Sequence, residues 1–255
     1  MPTCEITFYC QQGLSITQAK QLNRLAGMFN STICCANLTR RQTISASNQL
    51  SLLTLATQPG DLCQLQIKGD DAELAHMAFT CWCGELGQPL VRPMTAAMAE
   101  LRLANSLPNY HFALRQIAHS PASLSKADAL EHLLDLLPAE LVTDRATLSA
   151  AVERREQISA TIIRPGLAMP HVLSEGISQP ALTLLSCQQP IEWGSLIGPV
   201  QTIILLAVPL GSGRDTLRPL TRLAQAMLDD VVSHALLQAG SAPARQAIVI
   251  ESLLS

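Results

Sequence analysis

The sequence predicts an α/β protein in two blocks: a βαββαβα block over residues 1–85 and a three-layer α/β block over residues 111–255, with residues 86–110 as a linker holding a short helix. Over the first 85 residues, apolar spacing switches repeatedly between the period of two of a strand and the period of about 3.6 of a helix. "GELGQPLVRPM" then interrupts both periods with its prolines. Beyond residue 111, continuously apolar runs alternate with amphipathic stretches, as buried strands flanked by helices do.

In the first block, "CEITFYC" at 4–10 reads as a strand, and "SITQAKQLNRLAGMF" from 15 puts Ile16, Ala19, Leu22, Ala26 and Phe29 on one helical face. "STICCANL" at 31–38 and "QTISAS" have the β-branched content of two further strands. "NQLSLLTLA" is a short amphipathic helix with Asn48 as its cap, and "PGD" at 59–61 marks a turn. "LCQLQIKG" is the last strand, and "DDAELAHMAFTCW" a closing helix capped by Asp70 or Asp71. Ala96 to Ala104 supplies the helix of the linker.

In the second block, "KADALEHLLDLL" at 126–137 places Ala129, Leu133, Leu136 and Leu137 on one side and stops at Pro138. "DRATLSAAVERRE" from 144 has Asp144 as its cap and carries Arg154 and Arg155 in its last turn, where the helix dipole favours cations. "GLAMP", "ALTLLS" and "QTIILLAVPL" read as buried strands, and "TRLAQAML", "VVSHALLQA" and "PARQAIVIESLL" as the closing helices.

Composition excludes several classes. A net charge of −3, a pI near 6.1 and 3% aromatic residues give neither a basic face for phosphate backbones nor stacking platforms, so no nucleic-acid partner is expected. The longest apolar run, "IILLAVPL" at 203–210, is far shorter than the roughly 20 residues of a membrane-spanning helix, so no direct membrane insertion is expected. "MPTCEITFYC" lacks the basic region and long apolar core of a signal peptide, and a cytoplasmic location is expected. The 8 cysteines form no CxxC pair, so reduced thiols are expected, with no metal and no cofactor.

The element order of residues 3–82, with "GL" at 13–14 ahead of the first helix and "QPGD" ahead of the last strand, resembles the phosphocarrier protein HPr of the bacterial sugar phosphotransferase system. The resemblance implies an open-faced sandwich and a "GLHTRPA" motif whose histidine and arginine hold a phosphoryl group at a helix N-terminus. Here the stretch is "GLSITQA": Ser15 replaces the histidine, Thr17 the arginine and Gln18 the proline, and the position of a serine phosphorylated by regulatory kinases in some members falls at Asn48. The resemblance therefore implies a carrier fold without its acceptor. "CGELG" at 83–87 resembles the surroundings of the active-site cysteine of Enzyme I, whose barrel has no counterpart in this sequence.

In "RPGLAMPHVLSEG", Pro170 pushes Met169 toward extended geometry and holds His171 on a stiff support at the carboxyl end of a strand, where α/β folds place ligands. Nucleophile, metal ligand and strand-end polar residue are all compatible with that position. "REQISATIIRPGLAMPHV", with Arg155-Glu156 sixteen residues ahead of His171, resembles the phosphorylation-site motif of the fructose/mannitol class of Enzyme IIA domains, including their nitrogen-regulatory relatives. "QQPIEWGSLIGPVQTIILLAVPLGSG" and "LRPLTRLAQAMLDD" follow the same family order. The resemblance implies a three-layer Enzyme IIA-type domain with His171 as phosphoryl acceptor and Arg155 stabilising the phosphoryl oxygens. It departs at Thr216, which stands where the family has a second histidine; at Ile162, Arg164 and Pro165, in place of a glycine-rich turn; and at Val172, in place of a small residue.

The implied function is that of a phosphotransferase: a phosphoryl carrier of a sugar phosphotransferase system that takes a phosphoryl group from phospho-HPr on His171 and passes it to a cysteine of an Enzyme IIB, with Enzyme IIB/IIC and Enzyme I as partners. The alternative is a regulatory interaction module read out through the phosphorylation of His171, in which the HPr-like domain acts as a brake or a docking domain.

Overall fold

The computed structural model describes residues 1–93 and 95–255. Residues 1–97 together with 229–253 form one compact unit and residues 98–228 a second.

The first unit begins with β1 (Thr3–Tyr9), α1 (Ile16–Ala26), β2 (Thr32–Asn37), β3 (Gln42–Ser45), α2 (Gln49–Thr54), β4 (Leu62–Lys68) and α3 (Ala72–Glu85), the order expected from sequence. The strands form an antiparallel sheet in the order β1-β4-β2-β3. One face sends Ile6, Phe8, Cys35, Leu65 and Ile67 into a core with Ala19, Leu22, Leu52 and Phe79 of the helices. Ile16, placed by its period on the core face, is 61% exposed, because it opens the first turn, ahead of the buried positions Ala19 and Leu22. Asp71 stands at the N-cap of α3 without bonding its own helix. Its carboxylate instead accepts from the amides of Asn30 at 2.7 Å and Ser31 at 2.9 Å, which fixes the turn into β2.

The second unit contains α4 (Ala96–Ser106), β5 (Ile117–Ser120), α5 (Lys126–Asp135), α6 (Arg145–Ile158), β6 (Ile162–Arg164), β7 (Gly166–Ala168), β8 (His171–Ser174), β9 (Ala181–Ile191), β10 (Val200–Pro209) and α7 (Arg214–Leu228). Its sheet runs β5-β9-β10-β7-β6, with β8 also paired to β10. α5 and α6 bury Ala129, Leu133, Leu148 and Val152 in one core with Ala168, Leu185, Ile203 and Leu205 of the strands. β5 and β6, of 4 and 3 residues, are too short to show a period and are not among the strands expected from sequence.

β7 and β8 are one strand line with a break. Both pair parallel to β10, Ala168 opposite Ile203 and His171 opposite Leu206, so the register is the same on either side of Met169-Pro170. Pro170 has no N–H to give the ladder, yet its carbonyl still accepts from Leu206 at 2.9 Å, and pairing resumes at the next residue. His171 therefore opens β8, and the strand end anticipated from the proline is an interruption within the sheet.

The chain closes with α8 (Asp230–Gln238) and α9 (Ala242–Leu254), which the sequence reading grouped with the second block and the structure groups with the first unit. α8 packs across β1 and β4, over the sheet face that an open-faced sandwich leaves bare. Thr7 and Gln64 on that face are 4% and 0% exposed. Burial is tolerated because the polar groups are paired: Gln64 Nε2 donates to Thr7 Oγ1 at 3.2 Å and to the Ala235 carbonyl at 3.3 Å, and Thr39 Oγ1 donates to Glu251 Oε1 at 2.8 Å.

Candidate active site

His171 is exposed and has two polar partners. Its Nδ1 lies 3.2 Å from the carbonyl oxygen of Met169, and its Nε2 lies 3.2 Å from Nη2 of Arg155. A carbonyl only accepts and a guanidinium only donates, so these partners together select the neutral tautomer with the proton on Nδ1 and the lone pair on Nε2. Arg155 sits in the last turn of α6 and is itself steadied by an Nη1 bond to the Ser159 carbonyl at 3.3 Å. The two residues that the resemblance to the Enzyme IIA motif singled out are thus in contact, and the nitrogen facing the arginine carries the lone pair.

A cleft of about 500 Å³ opens beside the imidazole. Its α7 wall consists of Leu217, Leu220, Thr221 and Ala224, a stripe at helical spacing, and its sheet wall includes Leu206 and Val208. Thr216, which sequence order aligned with the family's second histidine, is absent from this lining and lines a separate cleft with Tyr110, whose hydroxyl donates to the Thr216 carbonyl. Thr221, one turn further along, is the polar α7 residue on the His171 cleft, and sequence reasoning missed it. Arg214 and Arg218 are exposed. Val172 is buried, with 7% exposure.

Glu156, the neighbour of Arg155, is buried, and its carboxylate accepts from Lys126 Nζ at 2.8 Å, from Trp193 Nε1 at 3.1 Å and from the Thr161 hydroxyl. Neither Lys126 nor Trp193 carries a local signal of this role. They meet Glu156 only because the fold brings α5, the end of α6 and the turn after β9 together.

In the N-terminal block, Ser15 Oγ accepts from the Gln18 amide at 3.2 Å and Gln18 Oε1 accepts from the Ser15 amide at 2.9 Å. This reciprocal capping box occupies the helix end with the chain's own side chains. Gly13 has φ 76°, and a Cβ there would lie 2.7 Å from the Thr57 carbonyl oxygen. Asn48 caps α2 through its side chain, accepting from the Ser51 amide at 3.1 Å. Cys83 is fully buried, and that burial pushes its thiol up to about 12, which rules against a nucleophilic role. Among the described residues no group of three or more His, Cys, Asp or Glu side chains is placed to hold a metal ion, and no helix is long and apolar enough to cross a membrane.

The family model described as "Phosphoenolpyruvate-dependent sugar phosphotransferase system, EIIA 2" matches residues 111–251, and that described as "PTS HPr component phosphorylation site" matches residues 2–81. Together the two modules define a phosphoryl-carrying component of a phosphotransferase system. The chain belongs to the EIIA 2 family of the phosphoenolpyruvate-dependent sugar phosphotransferase system, whose model covers more than half of its 255 residues.

It is 28% identical over 129 residues to the "PTS system fructose-specific EIIA component" of Haloferax volcanii, which covers 50% of this chain and 84% of the relative. It is 31% identical over 140 residues to the "Nitrogen regulatory protein" of Pseudomonas aeruginosa, 54% of this chain and 90% of the relative. The solved nitrogen regulatory protein IIA-Ntr from Neisseria meningitidis aligns with a TM-score of 0.49 at 24% identity, over 56% of this chain and 97% of that one.

Proposed function

We propose that His171 is the phosphoryl acceptor and that Arg155 steadies the phosphoryl group in transfer. The observation that carries this is the pairing of His171 Nε2 with Arg155 while Nδ1 is held by the Met169 carbonyl. The lone pair of Nε2 attacks the phosphorus of a donor phosphohistidine, a P–N bond forms as the donor's P–N bond breaks, and the donor ring leaves with that electron pair. Positive charge passes to the His171 ring, whose Nδ1–H stays on the Met169 carbonyl. Transfer of this kind needs alignment and cationic donors on the equatorial oxygens, and Arg155 is placed to turn from the free nitrogen onto the bound group.

Phospho-HPr is the donor in this reading, Enzyme I lies upstream, and a cysteine of an Enzyme IIB, coupled to Enzyme IIC, receives the group in the cytoplasm. Residues 111–255 act as the carrier module and residues 86–110 as the linker. Residues 1–85 supply no acceptor, since Ser15 is a helix cap, and they act as a brake or docking domain. A second reading, regulation through the phosphorylation state of His171, draws support from Thr216: the imidazole of the family pattern is missing there, and among the described residues no other histidine lines the His171 cleft.

Incubation of the full chain with labelled phosphoenolpyruvate, Enzyme I and HPr tests the assignment. Acid-labile label that disappears in a His171→Ala variant is the expected result, and label that survives this substitution rejects it. Passage of the label to an Enzyme IIB then separates transport from regulation.

A further inference from the structure

Both contacts of His171 lead back to one buried carboxylate. Glu156 follows Arg155 in the last turns of α6, so whatever fixes Glu156 fixes the backbone from which Arg155 reaches His171 Nε2. On the other side, Glu156 accepts from the Thr161 hydroxyl, and the Thr161 carbonyl accepts from the Met169 amide at 2.8 Å. The carbonyl of that same Met169 holds His171 Nδ1.

The carboxylate itself is clamped. Its side chain is 3% exposed, with Lys126 Nζ at 2.8 Å and Trp193 Nε1 at 3.1 Å. Lys126 Nζ also donates to the Trp193 carbonyl at 3.3 Å and stands 5.1 Å over the centroid of the Trp193 ring, which is fully buried. One ammonium thus neutralises Glu156 and ties α5 to the turn after β9, and a buried pair of this kind resists displacement because breaking it strands a charge out of water.

We propose that Glu156, held by Lys126 and Trp193, is a positioning residue that sets the tautomer and orientation of His171 through Arg155 on one nitrogen and Met169 on the other. This rests on the reading of His171 as the phosphoryl acceptor. Removing Lys126 leaves the carboxylate buried without its counter-charge. Glu156 then moves toward water, and the turn that carries Arg155 moves with it. A Gln at 156 still accepts from Trp193 and reaches Thr161 without needing the ammonium, so charge balance returns when both residues are changed.

The test uses the full chain as wild type, Lys126→Met, Trp193→Phe and the double variant Glu156→Gln/Lys126→Met. Two readouts are followed: the rate of labelling by phospho-HPr, and the ring-nitrogen shifts of His171 in NMR, which report the tautomer. Loss of a supporting partner of this kind is expected to slow labelling about tenfold or more in Lys126→Met, with the ring shifts moving from the Nδ1–H form toward a mixture. Trp193→Phe, which removes the indole donor and keeps most of the ring, is expected to move both readouts in the same direction.

The double variant is expected to recover most of the lost rate and the wild-type tautomer. Wild-type rate and ring shifts in Lys126→Met, or a double variant no better than the single one, overturn the proposal. If Lys126→Met fails to fold, Trp193→Phe and the double variant decide by the same criteria. If wild-type protein takes no label on His171, the acceptor reading fails, while the ring shifts still decide whether Glu156 positions the imidazole.

Discussion

Arg155 Nη2 and His171 Nε2 stand 3.2 Å apart, and the fifteen residues between them in sequence include the end of a helix, a turn and a strand broken by a proline. The contact is open to solvent, so its worth as a static bond is small, and in the proposed transfer its value lies in where it places a cation. Replacing Arg155 by Ala removes that donor and is expected to slow labelling of His171 by about a hundredfold with little change in melting temperature. Lys at the same position keeps the charge and loses the fork that also grips the Ser159 carbonyl, so an intermediate rate is expected. Rates measured under single-turnover conditions check both.

Gly176 closes the turn after β8, against the N-terminus of α6. A Cβ there would meet the Asp144 carbonyl oxygen at 2.4 Å and the Leu148 amide nitrogen at 2.9 Å, both backbone atoms that cannot step aside. The Gly176 carbonyl also accepts from the amides of Thr143 at 3.0 Å and Asp144 at 3.3 Å, so the turn and the helix cap move together. Gly176→Ala is expected to cost about 1–3 kcal/mol in denaturant unfolding, as overpacking does.

Ser15 shows the reverse case, a position of functional resemblance with a structural job. Ser15→Ala removes one arm of the capping box and is expected to cost about 1 kcal/mol of stability. Labelling of His171 is expected to be unchanged in this variant. A stability loss with no change in label separates a cap from a concealed acceptor, and calorimetry beside the labelling assay measures both.

The element order of the N-terminal block was legible because most of its strands and helices are long enough to show their own period, while β3, of 4 residues, was carried by its β-branched content, and Arg155 with His171 was legible through the resemblance to the Enzyme IIA motif. The Glu156 cluster was not, because Lys126, Glu156 and Trp193 come from separate segments and each reads locally as something else: a first-turn lysine, a helix-end acid, an aromatic beside a turn. Pro170 reads in sequence as a strand end, since a missing N–H looks the same there whether pairing stops or resumes one residue on. The seat of α8 was hidden for a related reason. Thr7 and Gln64 alternate with apolar residues as solvent-facing positions do, and only the structure supplies the partners that allow their burial.

The eight cysteines differ sharply in their surroundings. Cys81 is exposed, whereas Cys10, Cys35, Cys63 and Cys83 are fully buried in one core. Burial pushes the Cys83 thiol up to about 12, so its thiolate is scarce at neutral pH. Native protein treated with a maleimide at neutral pH is expected to be modified first at Cys81, with Cys83 reacting only in denaturant. Peptide mass mapping reads the order, and prompt labelling of Cys83 in native protein would contradict its placement.

Removal of residues 1–85 is the natural experiment for the role of the HPr-like block, and the fold alters what it reports. α8 rests on β1 and β4, and Val232, Ala235 and Leu236 are buried at 2%, 0% and 0% in the intact chain. Truncation takes away the sheet on which they lie and leaves an apolar helix face in water, at about 25 cal/mol for each Å² of apolar surface uncovered. The truncated chain is therefore expected to melt lower and to aggregate, so any change in its labelling rate mixes lost regulation with lost structure. Gln64→Ala separates the two. It deletes the bonds to Thr7 and Ala235 while keeping the block, and is expected to cost about 1–3 kcal/mol in thermal unfolding. A labelling rate that stays at the wild-type level in Gln64→Ala and rises on truncation favours a brake; rates that fall together with stability in both variants favour a structural platform for the C-terminal helices.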